Sequence, residues 1–321
     1  MAAKKENKNK AIVYDVIVIG AGVAGLSAAM YGARLGLKVL CLGASHGPEM
    51  PIGGVITTTK LVENYPGFKE ISGAELAERI RKHAESYELV KIKEEIAESV
   101  EKEQKTFLVK TNKGEYGAKT IIFATGTKWR RLDIPGSKEF ENKGVTYCAL
   151  CDAPLFRNKV VAVIGGSDSA LKEALLLKEY AKKIYIIYRG EKVRAEPITL
   201  KKVEADNKIE IINKTNVVEI RGDKLVQSIV LDKPYKGSKE LETNGVLVAI
   251  GHEPLTEIAK KVGVEINEKG EIIIDHENCE TNVKGVYAAG DVTNKKFKQA
   301  IIGVAEGCTA AYSAYEYIKS L

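Results

Sequence analysis

The sequence predicts an α/β chain of two three-layer (ββα) domains, the second inserted into the first, and three observations lead there. The stretch "YDVIVIGAGVAGLSAAMYGARLGLKVLCLG", Tyr14 to Gly43, runs from β-branched residues through a glycine turn and a small-residue helical pattern to a second apolar run. That order reads as strand, turn, helix, strand. It recurs in "NKVVAVIGGSDSALKEALLLKEYAKKIYIIYRG", Asn158 to Gly190. Two further apolar runs, "TIIFATGT" (Thr120 to Thr127) and "GVLVAIGHEP" (Gly245 to Pro254), end in glycine. They read as strands by which the chain leaves the first domain and returns to it.

Taken in order, the opening "MAAKKENKNK" is charged, and the apolar run after it meets a glycine turn at once. That makes it a buried strand rather than a leader peptide. Gly20, Gly22 and Gly25 then form G-x-G-x-x-G at the strand-to-helix junction. The first permits the tight turn, the second lets a pyrophosphate approach the backbone, and the third lets helix and strand pack closely; the helix N-terminus favours the phosphate charge. The second strand ends "CLGASHG", without the acidic residue usual for ribose hydroxyls. In the repeat, Gly165 and Ala170 hold the outer positions and Ser167 the middle one. Gly165, Gly166, Ser167 and Ser169 form this second candidate dinucleotide turn, with Arg189 and Arg194 after the second strand. Guanidinium groups there match a 2′-phosphate. Finally "TNVKGVYAAGDVT" ends a strand at Gly290 and Asp291, ahead of an apolar helix. The bounds expected are a charged tail at 1–12, one Rossmann-like dinucleotide-binding domain at 13–126 and 250–321, and a second at 127–249.

The bulk numbers agree with a soluble enzyme. A chain of 321 residues is long for one core, and 45% hydrophobic with 29% charged residues is ordinary globular composition. No window offers the ~20 consecutive apolar residues of a membrane helix, so a cytoplasmic protein without membrane contact is expected. The net charge of +6 comes from lysine scattered along the chain. That is a solvated surface rather than a nucleic-acid interface.

The paired fingerprints, "ATGT", "CALCD" and "GVYAAGD" in that order resemble the low-molecular-weight thioredoxin reductases, two-domain flavoprotein disulfide reductases. The resemblance runs from Tyr14 to the C-terminus. It implies a discontinuous FAD domain, an inserted NAD(P)H domain carrying a redox disulfide, a homodimer, and a rotation of one domain against the other during turnover. By the same resemblance FAD is held by Gly20, Gly22 and Gly25, by Gly53 and Gly54, by Asn64, and by Gly290, Asp291, Gln299 and Ala300. NADPH, or NADH, is expected on the second turn. The sequence departs from the family pattern at the insertion "ASHGPEMPI", at Val55 for the usual glutamine, and at Ser167 for the usual middle glycine of the second turn. It departs again at "YRG" for the usual "HRR", and at Pro154 and Leu155 for the paired aromatics. The second set bears on nicotinamide use and the last on partner docking.

Five cysteines are present, and only Cys148 and Cys151, in "YCALCDAP", are closely spaced. Zinc wants four ligands, and this pair supplies two, with isolated cysteines and four histidines elsewhere. A structural disulfide closing so short a loop stabilises little, and cytosolic thiols are kept reduced. Redox exchange remains: one thiolate attacks while its neighbour stands ready to resolve the mixed disulfide. The resemblance implies that Cys148 attacks the partner disulfide, Cys151 faces the flavin, and Asp152 acts as general acid and base.

The function expected is thioredoxin-disulfide reduction, with electrons passing from NAD(P)H through FAD and the cysteine pair to a thioredoxin-like protein. The alternatives are a reductase fed by reduced ferredoxin, a small-molecule dithiol oxidase, and a non-catalytic flavin redox sensor.

Overall fold

The structure, a computed structural model, describes residues 13–43 and 52–321. The expected tail at 1–12 and residues 44–51 of the inserted stretch lie outside the described residues. The chain divides into two compact units, one formed by the segments up to Thr127 and from Pro254 to Leu321, the other by Lys128–Glu253.

The first unit begins with β1 (Val13–Ile19), α1 (Val23–Arg34) and β2 (Val39–Gly43). After α2 (Gly73–Glu85) come β3 (Val90–Glu94), β4 (Ala97–Glu103), β5 (Thr106–Thr111) and β6 (Glu115–Phe123). The link out, β7 (Thr127–Trp129), pairs with the link back, β16 (His252–Pro254).

Between those links the second unit runs through β8 (Val145–Thr146), a single helical turn α3 (Ala149–Asp152), β9 (Val160–Ile164), α4 (Asp168–Leu177) and β10 (Lys183–Tyr188). It continues with α5 (Pro197–Glu204), β11 (Ile209–Asn213), β12 (Val217–Gly222), β13 (Val226–Tyr235), β14 (Ser238–Glu242) and β15 (Gly245–Val248). The first unit is then completed by α6 (Glu257–Lys261), β17 (Val286–Ala288) and α7 (Ala300–Lys319).

The two units repeat one plan. In the first, the sheet order is β3-β2-β1-β6-β5-β4, with β17 also on β6. The nine residues of β6 pair with β1 along one edge and serve two neighbours along the other: Glu115–Ala118 pair antiparallel with β5, and Ile121–Phe123 pair parallel with β17. In the second, a parallel sheet β11-β10-β9-β15-β8 faces a separate antiparallel sheet β12-β13-β14.

The layering follows from the period-two alternation of strand side chains. In β9, Val161 and Val163 pack with Ala170, Leu171, Ala174 and Leu177 of α4. Ala162 and Ile164, on the other face, pack with Val217, Ile220, Ile229 and Leu231 of the antiparallel sheet. Burial on both faces explains why "VVAVI" reads as an unbroken apolar run. Each such valine or isoleucine contributes roughly 1.5–3 kcal/mol. In the first unit α1 is built of small residues because α7 lies directly on it: a Cβ added at Gly307 would stand 2.2 Å from the Ala24 carbonyl oxygen. Among the described residues no helix is long and apolar enough to cross a membrane.

Candidate active site

The first glycine turn is fixed by contacts only glycine allows. Gly20 has φ +116°, and a Cβ there would lie 2.1 Å from the Ala124 oxygen. One at Gly25 would lie 1.8 Å from the Gly20 oxygen. Gly22 caps α1 with extended backbone, offers no side-chain hydrogen bond, and is followed by no acid in the first turn. Gly53 and Gly54 close on it: the Gly53 N–H donates to the Ala21 carbonyl at 2.8 Å, and Gly53 bridges Gly22.

The second chain segment adds the far wall of this site. Gly290, at φ +81°, abuts Ala24 of α1, and α7 begins at Ala300 behind an N-cap, Gln299, that likewise makes no side-chain capping bond. Asn64 Nδ2 donates to Gln299 Oε1 at 3.0 Å. The FAD residues expected from the sequence are thus brought together around two helix N-termini free of acidic first-turn residues. That donor set fits a diphosphate.

Two residues that the sequence reading missed hold the Gly290–Asp291 turn. Lys298 Nζ donates to the carbonyls of Asp291 at 2.7 Å and Thr293 at 2.8 Å, and pairs with Glu271 at 2.7 Å. Glu306, 7% exposed, accepts the Gly290 N–H at 2.8 Å through Oε2. Its Oε1 has no hydrogen-bond partner among the described residues. Burial pushes the Glu306 carboxyl above the ordinary glutamate range, against the Gly290 N–H and the nearby Lys295 and His276, which favour the anion. Folding therefore binds a proton more tightly at Glu306. The stability this contributes is full below the unfolded pKa of about 4.3 and is lost as pH rises through the raised folded value. Glu306→Gln, which keeps an acceptor for Gly290, is expected to gain melting temperature relative to the parent as pH rises from 4 to 8. A difference constant with pH would contradict the assignment.

The second turn has the same outline and a different surface. Gly165 has φ +148°. Ser167 caps α4, its Oγ accepting the Ala170 N–H at 3.4 Å. Asp168 follows in the first turn, held by Lys172 at 2.6 Å and the Glu196 N–H at 2.9 Å. Ser167, Ser169, Arg189 and Arg194 are exposed, and the Arg194 N–H donates to the Gly166 carbonyl at 2.6 Å. A Cβ added at Gly166 would fall 2.3 Å from Cγ of Tyr188. The donor set fits a dinucleotide, with the Tyr188 ring lying against the turn.

In the same unit Cys148 and Cys151 form a disulfide with Cα atoms 5.4 Å apart. Cys148 caps α3, and its Sγ accepts the Cys151 N–H at 3.2 Å. Thr146, also missed from the sequence, ties the motif together: its hydroxyl donates to Asp152 Oδ2 and accepts the Cys148 N–H at 3.2 Å. Tyr147 is fixed beneath the Arg131 guanidinium, 4.3 Å from the ring centre. Cys148 is 8% exposed, whereas Cys151 is exposed, as are Pro154 and Leu155 after it. Cys148 starts the helical turn with its sulfur accepting the Cys151 N–H, and Cys151 within the turn is left exposed.

A G-x-G-x-x-G turn, a second turn of the same plan and a C-x-x-C disulfide on one chain narrow the field, and the comparisons decide it. Residues 14–307 match the pyridine nucleotide-disulphide oxidoreductase family. The chain belongs to that family. Within it the chain is similar to the thioredoxin reductase of Pneumocystis carinii, 40% identical over 93% of this chain and 94% of that one. The crystal structure of Lactococcus lactis thioredoxin reductase superposes with TM-score 0.90 at 37% identity, covering 96% of this chain and all of the other. That of T. acidophilum thioredoxin reductase gives 0.88 at 39%, covering 95% and 98%. As a thioredoxin reductase relative, the chain is an FAD-dependent disulfide oxidoreductase of a family that uses NADPH.

Proposed function

We propose that the chain is a cytoplasmic, homodimeric thioredoxin-disulfide reductase in which Cys148 and Cys151 receive electrons from NAD(P)H by way of FAD and pass them to a thioredoxin-like protein. The observation carrying this reading is the Cys148–Cys151 disulfide, set in one helical turn and tied through Thr146 to Asp152. When bound, FAD supplies the two-electron carrier between nicotinamide and disulfide.

The chain's own residues do the rest. In the reduced state a thiolate of the pair attacks the partner's disulfide, forming a mixed disulfide and releasing one partner thiolate. Its neighbour then attacks, restoring Cys148–Cys151 and freeing the second partner thiolate. Two electrons leave the pair, and the product dithiol takes up two protons. Asp152, held in place by Thr146, is the carboxylate able to hold or deliver a proton at this turn. The first-unit glycines and the Lys298 and Glu306 supports orient FAD; Arg189 and Arg194 would hold a 2′-phosphate.

Reduced ferredoxin as donor is the second reading, favoured by the Tyr188 ring against the nicotinamide-type turn. An anaerobic absorbance titration separates the two. NADPH or NADH is expected to bleach the flavin band stoichiometrically, and the reduced protein to reduce thioredoxin. A flavin that answers to dithionite and to a dithiol but to neither nicotinamide would overturn the donor; a reduced protein that leaves thioredoxin oxidised would overturn the acceptor.

A further inference from the structure

We propose that Tyr188 is a built-in cover on the second dinucleotide turn and sets how tightly a nicotinamide dinucleotide binds there. The inference rests on the reading of this unit as the NAD(P)H domain. It comes from comparing the two turns, which the strand registers make equivalent. In the first unit Ile19 pairs with Leu42, and in the second Ile164 pairs with Ile187. Gly43 and Tyr188 are therefore the same structural position, the residue just past the last paired one. In this fold that position faces the adenosine ribose and selects between a hydroxyl and a phosphate.

The two units fill the space beside it in opposite ways. In the first, the residue after the leading glycine is Ala21, and Gly43 opposite has no side chain; a Cβ there would lie 2.3 Å from the Ala21 Cβ. In the second, the residue after the leading glycine is Gly166, and the side chain comes from the strand end. A Cβ at Gly166 would fall 2.3, 2.4 and 2.7 Å from Cγ, Cδ2 and Cδ1 of Tyr188. A Cβ at Gly190 would fall 2.5, 2.7 and 2.8 Å from Cε1, Cζ and Oη of the same ring. The near end of the ring thus rests on Gly166 and the far end on Gly190. Gly166 is buried although Ser167 and Ser169 beside it are exposed.

The root of this ring is held and its end is not built into the core. The Tyr188 carbonyl accepts the Thr215 N–H at 3.1 Å, and the Gly190 carbonyl accepts the Lys214 N–H at 2.9 Å. Backbone movement is therefore resisted, and Tyr188 itself is only partly buried. Side-chain rotation is the motion left to uncover the ledge between Gly166 and the flanking Arg189 and Arg194. A dinucleotide has to select the uncovered rotamer, so its apparent affinity falls by the fraction of time the ledge is open. An open fraction of about one tenth weakens binding about tenfold.

The test is calorimetric titration of the FAD-loaded protein with NADP+ and with NAD+, neither of which can reduce the flavin. Tyr188→Ala and Tyr188→Leu are expected to tighten binding of at least one dinucleotide about tenfold, and Tyr188→Phe, which keeps the ring, to match the parent. Thermal melting and flavin content verify that each variant is folded. Unchanged or weaker binding in both truncations would overturn the cover, weaker binding meaning that the ring stacks on the ligand. Absence of binding in every variant would overturn it too. The donor reading is judged separately by flavin bleaching in the parent: tightened binding without bleaching keeps the cover and removes the donor, and bleaching with unchanged binding does the reverse.

Discussion

Removing either active-site sulfur, by Cys148→Ser or Cys151→Ser, is expected to lower thioredoxin reduction at least ~10³-fold, because the two act as one unit and neither retains the exchange alone. Flavin reduction by the donor needs neither sulfur and is expected to survive in both variants. The two variants should differ in what they trap. Cys151 is the exposed member and Cys148 the buried one, its sulfur accepting the Cys151 N–H. With Cys148→Ser the remaining thiol lies on the outer side of the turn, within reach of a partner. Incubated with a thioredoxin lacking its resolving cysteine, Cys148→Ser should accumulate the mixed disulfide seen by intact-mass analysis, and Cys151→Ser several-fold less. Equal trapping, or trapping by Cys151→Ser alone, would give the partner-facing role to Cys148, as the resemblance implies.

The difference in exposure between the two cysteines shows where sequence reading stops. Both strand–turn–helix units were legible because their signals are local: a glycine turn, an apolar run and a helical period within a few tens of residues. The three-layer arrangement was legible for the same reason, since "VVAVI" is apolar without a break only when both faces are covered. The antiparallel strands β12 to β14 were not, because their alternation of buried and exposed residues is shared with many surface hairpins. Thr146, Lys298 and Glu306 escaped notice for another reason. Each acts on backbone atoms or on a carboxylate brought near by the fold, and nothing in its own residue type advertises that. Glu306, sixteen positions after Gly290, looks in sequence like one more solvated glutamate on a helix. A signal did exist: it stands in "GVAEGCTAA", the one charge in an otherwise small and apolar stretch.

The two units also show one plan under different local constraints. In the first, contacts among glycines and alanines bring α1, α7 and the Gly53–Gly54 segment within backbone distance of one another. In the second, a serine caps the helix and a tyrosine covers the turn. A turn that must admit a pyrophosphate against bare backbone tolerates few side chains, whereas one bound and released in each cycle has room for a movable one.

That contrast sets the expectation for Gly25→Ala. A Cβ there would stand 1.8 Å from the Gly20 carbonyl oxygen and 3.2 Å from Cγ1 of Val18. The turn cannot retreat, because Gly20 itself is wedged: a Cβ on it would be 2.1 Å from the Ala124 oxygen, and its N–H is bonded to the Leu42 carbonyl at 2.7 Å. The added methyl must therefore push α1 away from β1, parting α1 from both α7 and the Gly53–Gly54 segment. Overpacking of this kind against backbone costs about 3 kcal/mol or more, beyond the gain in helix propensity of about 1 kcal/mol. The purified variant is expected to carry well under half the parent's flavin and to melt markedly earlier, whereas Arg34→Ala, at the exposed end of the same helix, should change neither. Full flavin content with an unchanged melting temperature would mean that the helix can slide along the strand, and that the close approach at Gly25 is not what fixes the FAD turn.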